Sequence, residues 1–289
     1  MTYDLYIGDR TFSSWSLRGW LMLEKFGLPY TSTLVGLYSG TMAAELAHLP
    51  GVKTVPALKT PSGGILTDSL AMAETLYEEN PEAGLYPADP IARALARSIT
   101  AEMHSSFGAL RDACPHNMDH TLTGFDVSEA VQKDVDRICM LWAMARETYG
   151  ANGPWLFGDY TIADAFYAPI ANRFTTYGIT LPALAQAYVD AHVQDTSNRQ
   201  WRAMGQTVTY DPFPYDFGLP TNPWPIDVIA AHAVEAGAAE NAKCPYSGKP
   251  VTHYLETGGR IFGFCNAFCR DKTVADPAAW PKFMDLLTG

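Results

Sequence analysis

Basic residues are scarce in this sequence of 289 amino acids: 20 Lys and Arg stand against 31 Asp and Glu, a formal net charge of -11. Affinity for nucleic acid comes mainly from Lys and Arg that neutralise phosphates, and no basic cluster interrupts the acidic balance. Nucleic acid and an anionic membrane surface are therefore not expected as partners. Long apolar runs are missing as well. None approaches the roughly 20 residues of a spanning helix, so no membrane insertion is expected. Met1 to Arg10 lacks the charged-then-apolar pattern of a secretory leader and runs straight into strand-like sequence. The expected location is the cytoplasm, where thiols stay reduced. Cysteines are few, five in all, odd in number and unevenly spread. Cys114 and Cys139 stand alone in helical sequence and read as small buried hydrophobes. No internal repeat is visible.

What is present is core material. The apolar share is 47%, enough to offset the ordering entropy that keeps polar chains disordered. The length allows two domains and a small third module. Tyr3, Leu5 and Ile7 alternate with Asp4 and Tyr6, a strand pattern. Leu17 to Glu24 has helical spacing and stops at Gly27, with Pro29 beyond. Thr31 to Val35 reads as a second strand, so a β-α-β start with a parallel pair is implied. Ala57 to Lys59 and Gly64 to Leu66 flank a turn and read as a hairpin. Ser69 to Glu79 reads as a helix with Leu70, Ala73, Leu76 and Tyr77 on one face. From Pro90 on, Ile91 to Arg111, Val127 to Tyr149, Ile162 to Tyr177 and Leu181 to Val193 all carry helical periodicity. Asp211 to Pro225 holds Pro212, Pro214, Pro220, Pro223 and Pro225 and cannot be a helix interior. It reads as an extended linker. Asp227 to Ala239 reads as a short alanine-rich helix.

Three local features in the first 82 residues can bear chemistry. Ser13 and Ser14 stand at the start of the first helix. There a serine is either an N-cap, worth about 1 kcal/mol, or a hydroxyl that donates to a thiolate in the positive field of the helix end. Val55-Pro56 precedes a strand. Pro56 is either an edge residue or a cis proline that presents the backbone of Val55 to a peptide ligand. Asp68-Ser69 opens the third helix. Asp68 is either a cap or a grip for an ammonium, and Ser69 can offer its hydroxyl and N–H to a carboxylate.

Together these features resemble the glutathione transferase superfamily. Ser13-Ser14-Trp15-Ser16-Leu17-Arg18 is similar to the serine motif of the zeta class, with Trp15 where a cysteine usually stands. Thr54-Val55-Pro56-Ala57-Leu58 resembles the family's cis-proline segment, and Asp68-Ser69-Leu70-Ala71 its Glu/Gln-Ser motif. Gly158-Asp159-Tyr160-Thr161-Ile162-Ala163-Asp164 resembles its buried capping box, read as structural. Ala101 to Phe107 and Arg111 are similar to a bacterial branch, in which this helix faces the cleft. The resemblance covers about residues 1–205. It implies a thioredoxin-like domain at 1–82 (α/β) that binds glutathione and an all-α helical-bundle domain at 90–205. The glutathione contacts it implies are Trp15, Ser16, Lys53, Thr54, Val55, Pro56, Asp68 and Ser69. Ser13, with Ser14 second, is the implied thiol activator. Met103 and Phe107 are expected in an apolar second-substrate pocket or in the core. His104 beside them is either a general base or, like most lone helical histidines, a packing residue. With no cysteine in the motif, mixed-disulfide chemistry is not expected there, and one part of the zeta isomerase signature is lost.

Past a linker and short helix at 206–241, the segment 242–289 carries Cys244, then twenty residues, Cys265, three residues, and Cys269. A turn after the first cysteine and a strand leading to the second would gather three thiols, and i, i+4 spacing puts Cys265 and Cys269 on one side of a helix start. Soft thiolates suit zinc or copper. The spacing resembles TRASH/YHS-type metal-binding modules. Structural zinc usually takes four protein ligands, Ser247 stands where related knuckles have another cysteine, and His253 is the candidate fourth ligand. The alternative is a degenerate module with buried, reduced cysteines.

The first reading is a cytoplasmic homodimeric glutathione transferase or glutathione-dependent isomerase acting on a small apolar electrophile, with a zinc-binding-like module appended. The second is a non-catalytic binding or metal-sensing regulatory protein that reuses the fold.

Overall fold

The computed structural model describes residues 2–37, 39–208 and 215–289. Asp211, Pro212 and Pro214 of the proline-rich stretch lie outside the described residues. The described chain divides into two compact units, Met1–Val193 with Pro212–Trp224, and Gln194–Asp211 with Pro225–Gly289. No helix among the described residues is long and apolar enough to cross a membrane.

The first unit opens with β1 (Tyr3–Ile7), α1 (Ser14–Glu24), β2 (Tyr30–Leu34), the short α2 (Met42–Glu45), β3 (Ala57–Lys59), β4 (Ile65–Leu66) and α3 (Ser69–Glu79). The sheet order is β2-β1-β3-β4. β1 and β2 are parallel, with Tyr3 opposite Tyr30, and β3 runs antiparallel to both β1 and β4. This is the thioredoxin-like arrangement expected from the sequence. Alternation buries Tyr3, Leu5 and Ile7 beneath the helices. α1 buries nearly its whole circumference, including Leu17, Trp20, Leu21 and Leu23, because it packs against both α3 and α7. Gly19 on α1 leaves little room for a side chain: a Cβ there would lie 3.1 Å from Pro56 Cβ. Small size thus lets α1 approach the Val55-Pro56 bond, which is cis. On α3 the buried face is Ser69, Met72, Ala73 and Leu76, so Met72 joins the core and Leu70 and Tyr77 lie at its edge.

The helical part holds α4 (Pro90–Ser105), α5 (Gly108–Ala113), β5 (His120–Leu122), α6 (Glu129–Tyr149), α7 (Ile162–Thr176) and α8 (Ala183–Gln194). The periodic run from Ile91 to Arg111 is two helices rather than one. Phe107 adopts a left-handed φ of 64° at the break, a conformation that is costly for a bulky side chain. Its ring is buried, and Arg111 binds the carbonyls that α4 leaves free, Nε to Ser106 O at 2.8 Å and Nη2 to Met103 O. α7 is buried all round. Its first turn is closed by Asp164, whose carboxylate accepts from Thr161 N–H at 2.8 Å, Thr161 Oγ1 at 2.9 Å, Leu156 N–H at 3.0 Å and Tyr188 OH at 2.8 Å. That matches the structural role read from the sequence.

The second unit begins earlier than residue 206, with α9 (Thr196–Gly205). Ala203 of α9 sits in one core with Cys244, Leu255, Phe262, Phe264, Trp280 and Phe283, which is why this helix goes with the C-terminal segment. Within the proline-rich stretch, β6 (Thr221–Pro223) belongs to the first unit and pairs antiparallel with β5 there. The expected helix at 227–239 does not form. The segment carries β7 (His232–Val234), which pairs with β8 (His253–Thr257), itself paired with β9 (Arg260–Phe264). Alanine favours helix, but an open strand edge offers hydrogen bonds that a short isolated helix cannot match. Gly237 just beyond packs so closely on Ile261 that a Cβ would lie 2.5 Å from its Cδ1. α10 (Ala267–Ala275) and α11 (Pro281–Thr288) complete the unit.

Candidate active site

Three separated sequence segments meet at an open cleft of about 290 Å³ lined by Trp15, Thr54, Val55, Thr67, Asp68 and Ser69. Each stands at a helix start or a strand entry. Ser13 caps α1: its Oγ accepts from Ser16 N–H at 3.3 Å and donates to Ser16 Oγ at 2.7 Å. Ser14 is in the first helical turn, and its Oγ accepts from Arg173 Nη2 at 3.5 Å. Both serines are buried, so the two hydroxyls belong to different networks. Ser16, assigned to the ligand by resemblance, is wholly buried and accepts from Gly8 N–H at 2.9 Å. It fastens the loop before α1 and does not line the cleft. Trp15 does line it, 37% exposed.

Asp68 caps α3, its Oδ1 accepting from Leu70 N–H at 2.8 Å and Ala71 N–H at 3.1 Å. Its second oxygen faces His104 Nε2 at 3.3 Å. One carboxylate thus both caps α3 and faces the His104 ring. Ser69 is buried and its Oγ has no partner. It stands at the first position of an 11-residue helix, where N–H groups and the dipole favour an anion. Val55 lines the cleft, whereas Pro56 is buried and Lys53 is exposed outside the lining.

Of the two places expected for Met103 and Phe107, a second-substrate pocket or the core, their burial matches the core. His104 faces Trp15, edge-on at 5.4 Å. Burial lowers the His104 pKa, Asp68 opposes this, and Arg18 and Arg111 add to it. His104 Nδ1 has no partner, and Nε2 faces Asp68.

Sequence reasoning passed over the most unusual groups here. The Arg18 guanidinium lies 4.3 Å from the Trp15 ring and 5.1 Å from Phe166. Arg111 lies 5.3 Å from the same indole. Arg173 donates to Cys114 O at 2.8 Å and to Pro169 O at 3.3 Å besides Ser14. The signal was available: Arg18 interrupts an apolar helix, and Arg173 sits inside another.

In the second unit, the thiols of Cys244, Cys265 and Cys269 lie within 4.8 Å of one another. β9 delivers Cys265, and α10, capped by Asn266, delivers Cys269. Cys265 Sγ and Cys269 Sγ are 3.8 Å apart. Ser247 Oγ donates to Cys265 Sγ at 3.1 Å. Burial resists ionising Cys244, but N–H groups of Ser247, Cys265 and Tyr246 and the Ser247 hydroxyl bring its thiol down to about 7. Burial and the neighbouring Cys244 push Cys269 up to about 12. His253 is not brought into this group. It opens β8 opposite Phe264, with Nδ1 2.9 Å from the adjacent Thr252 hydroxyl.

Comparisons with known proteins agree with this geometry. The glutathione S-transferase N-terminal domain family matches residues 12–79. A probable maleylacetoacetate isomerase of Caenorhabditis elegans is 31% identical over 180 residues, 59% of this chain and 79% of the relative. A crystal structure of a glutathione transferase homolog from Burkholderia, with bound glutathione, has a TM-score of 0.53 at 25% identity, covering 71% of this chain and 98% of that one. Maleylacetoacetate isomerase from Anaeromyxobacter dehalogenans, with glutathione in its active site, gives 0.50 at 26% identity, covering 69% and 94%. From the cleft at the ends of α1 and α3 and from these matches, the chain belongs to the glutathione S-transferase superfamily.

Proposed function

We propose that the first unit binds glutathione in this cleft and activates its thiol for transfer to, or isomerisation of, a small electrophile. The observation that carries the reading is the convergence of Val55, Asp68 and Ser69 with the α1 terminus on one cleft. The γ-glutamyl carboxylate is assigned to Ser69 and the α3 terminus, its ammonium to Asp68, and the peptide backbone to Val55. The thiol then reaches the start of α1, at Ser13 or Ser14. A free thiol has a pKa near 8.5, and lowering it by about two units takes about 2.7 kcal/mol. A hydroxyl hydrogen bond plus a helix N-terminus supplies an effect of that size. In transfer, the sulfur forms a bond to carbon as the leaving group departs. In isomerisation, the sulfur adds to a double bond and is expelled after rotation, which returns the glutathione.

Thiolate absorbance of the binary complex tests this. Ser13→Ala and Ser14→Ala are compared with wild type, and one of them is expected to lose the signal and roughly 100-fold in turnover, the equivalent of about 2.7 kcal/mol. Unchanged absorbance in both variants overturns the serine mechanism. Retention on immobilised glutathione without turnover of any electrophile would favour the second reading, a binding or metal-sensing protein. The three-thiol cluster is the observation behind that reading.

For the second unit we propose a zinc held by Cys244, Cys265 and Cys269. Tetrahedral zinc with Zn–S near 2.3 Å places sulfurs about 3.8 Å apart, and the Cys265–Cys269 separation is 3.8 Å. The donor set fits three positions. The Ser247 hydroxyl stands beside them, 3.1 Å from Cys265 Sγ. Zinc there would supply a structural crosslink. Elemental analysis of protein purified without chelator is expected to find about one equivalent per chain, and less than about a tenth would end the proposal.

A further inference from the structure

Arg18 is fully buried, 0% exposed, and none of its three guanidinium nitrogens has a hydrogen-bond partner. An unpaired buried cation is among the costliest groups a fold can carry, and arginine does not escape by losing its proton. Its surroundings worsen the position. The ionisable groups that act on it or feel it are Arg111, Arg173, His104 and His116, with the carboxylate of Asp68 and the phenol of Tyr167. Burial first, then Arg111 and Arg173, disfavour the charged form of Arg18. Cation–π contacts with Trp15 and Phe166 recover a part of this, but they satisfy no N–H.

The direction of the side chain is informative. Helical side chains lean toward the N-terminus of their helix and cover the turn before them. Arg18 stands four residues after Ser14, and its guanidinium rests on Trp15, a wall of the cleft. The charge therefore sits behind the first turn of α1. A second guanidinium, that of Arg173, reaches Ser14 Oγ from the other side.

We propose that Arg18 is kept buried and unpaired so that its charge favours the thiolate of bound glutathione over the thiol. The anion that the fold withholds is supplied by the ligand. This rests on the glutathione reading above. No contact places Arg18 on the sulfur itself, so it is a positioning residue, acting by its field through the first turn of α1 and the Trp15 ring. It also assigns a role to Trp15, which is an anvil that holds the guanidinium at the cleft wall in place of a nucleophilic cysteine.

The test is a pH titration of thiolate absorbance in the glutathione complex of the full chain, with Arg18→Met, Arg18→Gln and Arg18→Lys. Both neutral variants are expected to raise the titration midpoint by about one unit or more, a tenfold loss of thiolate near the midpoint, with glutathione affinity well below the midpoint unchanged. Arg18→Lys restores most of the shift. Two neutral variants are used so that one folded protein suffices, and neither is expected to melt below wild type, since each removes an unsatisfied charge. An unaltered midpoint in a folded neutral variant, beside a wild type that does ionise the thiol, overturns the role of Arg18. A wild type that forms no thiolate overturns the glutathione reading instead, and this inference with it.

Discussion

Arg18 and Arg199 are both withdrawn from water, one in each compact unit, and the chain treats them in opposite ways. Arg199 is 14% exposed and forks onto Asp276, which is 0% exposed, with Nε–Oδ2 2.8 Å and Nη2–Oδ1 2.7 Å. Arg18 is more deeply buried and has aromatic rings where a carboxylate would be. The paired cation ties α9 to the turn after α10. The unpaired one lies against the wall of the cleft. The difference teaches where to look for function: a fold satisfies buried charge wherever satisfaction is free, and the position left unsatisfied is one where a ligand is expected.

Breaking the paired side gives the largest expected effect. Asp276→Asn leaves Arg199 without its anion, and loss of one partner of a buried pair costs about 3 kcal/mol or more. Urea unfolding is expected to show that loss. The double variant Arg199→Met with Asp276→Leu should recover most of it, because replacing a whole buried pair with apolar groups is close to neutral. If the double variant is as unstable as the single one, the pair is not the unit that matters.

A third buried basic group shows the solution open to neither arginine. His192 on α8 packs at 5.0 Å from Trp155 and 4.6 Å from Tyr188, with Nε2 unpartnered. Burial, then the charge of Lys25, lowers its pKa to about 3. The unfolded chain therefore binds this proton below pH 6.5 while the folded chain does not. Stability conferred by neutral His192 is present at neutral pH and is lost as pH falls from 6.5 toward 3. Between pH 7 and pH 5 the loss amounts to about 2 kcal/mol. His192→Leu should lose correspondingly less stability over that interval, measured by urea unfolding at each pH. An equal loss in variant and wild type would mean that His192 is protonated within the fold.

Much of the frame was legible because it rests on local rules. The β1-α1-β2 start follows from alternation and a helix stop at Gly27, and the thiol cluster follows from a turn, a strand and an i, i+4 pair. The capping box was readable because Thr161 and Asp164 are three residues apart. Misreadings occurred where tertiary partners overrule local preference. The alanine-rich 227–239 segment has helical composition, yet the edge of β8 takes it as a strand. Phe107 breaks a continuous periodic run because Arg111 binds the carbonyls at the end of α4. Ser16 shares a motif with the cleft residues, but its place in the turn directs it inward to Gly8. His253 is close to Cys244 in sequence, but the register of β8 places it beside Thr252 and outside the thiols. Arg18 was visible as a charge in an apolar helix, but tertiary packing decides that its guanidinium meets two rings and no hydrogen-bond partner.

The smallest effect has the most telling sign. Arg18→Met should raise stability by about 1 kcal/mol in the absence of glutathione, since exchanging buried ionic groups for apolar ones of similar volume has been neutral or stabilising. Methionine is flexible enough to fill the space between Trp15 and Phe166. The same substitution at Arg199 alone should destabilise, because Asp276 is then left as the unpaired charge. A merely structural Arg18, held for its packing on two rings, predicts the same sign at both positions. Thermal melts of Arg18→Met and Arg199→Met at neutral pH separate the cases. Opposite signs support a cation held for a ligand, and a lower midpoint in both returns Arg18 to the ranks of packing residues. Glutathione should then narrow the gap at position 18, because wild type gains the anion it lacks while the methionine variant gains only the remaining contacts.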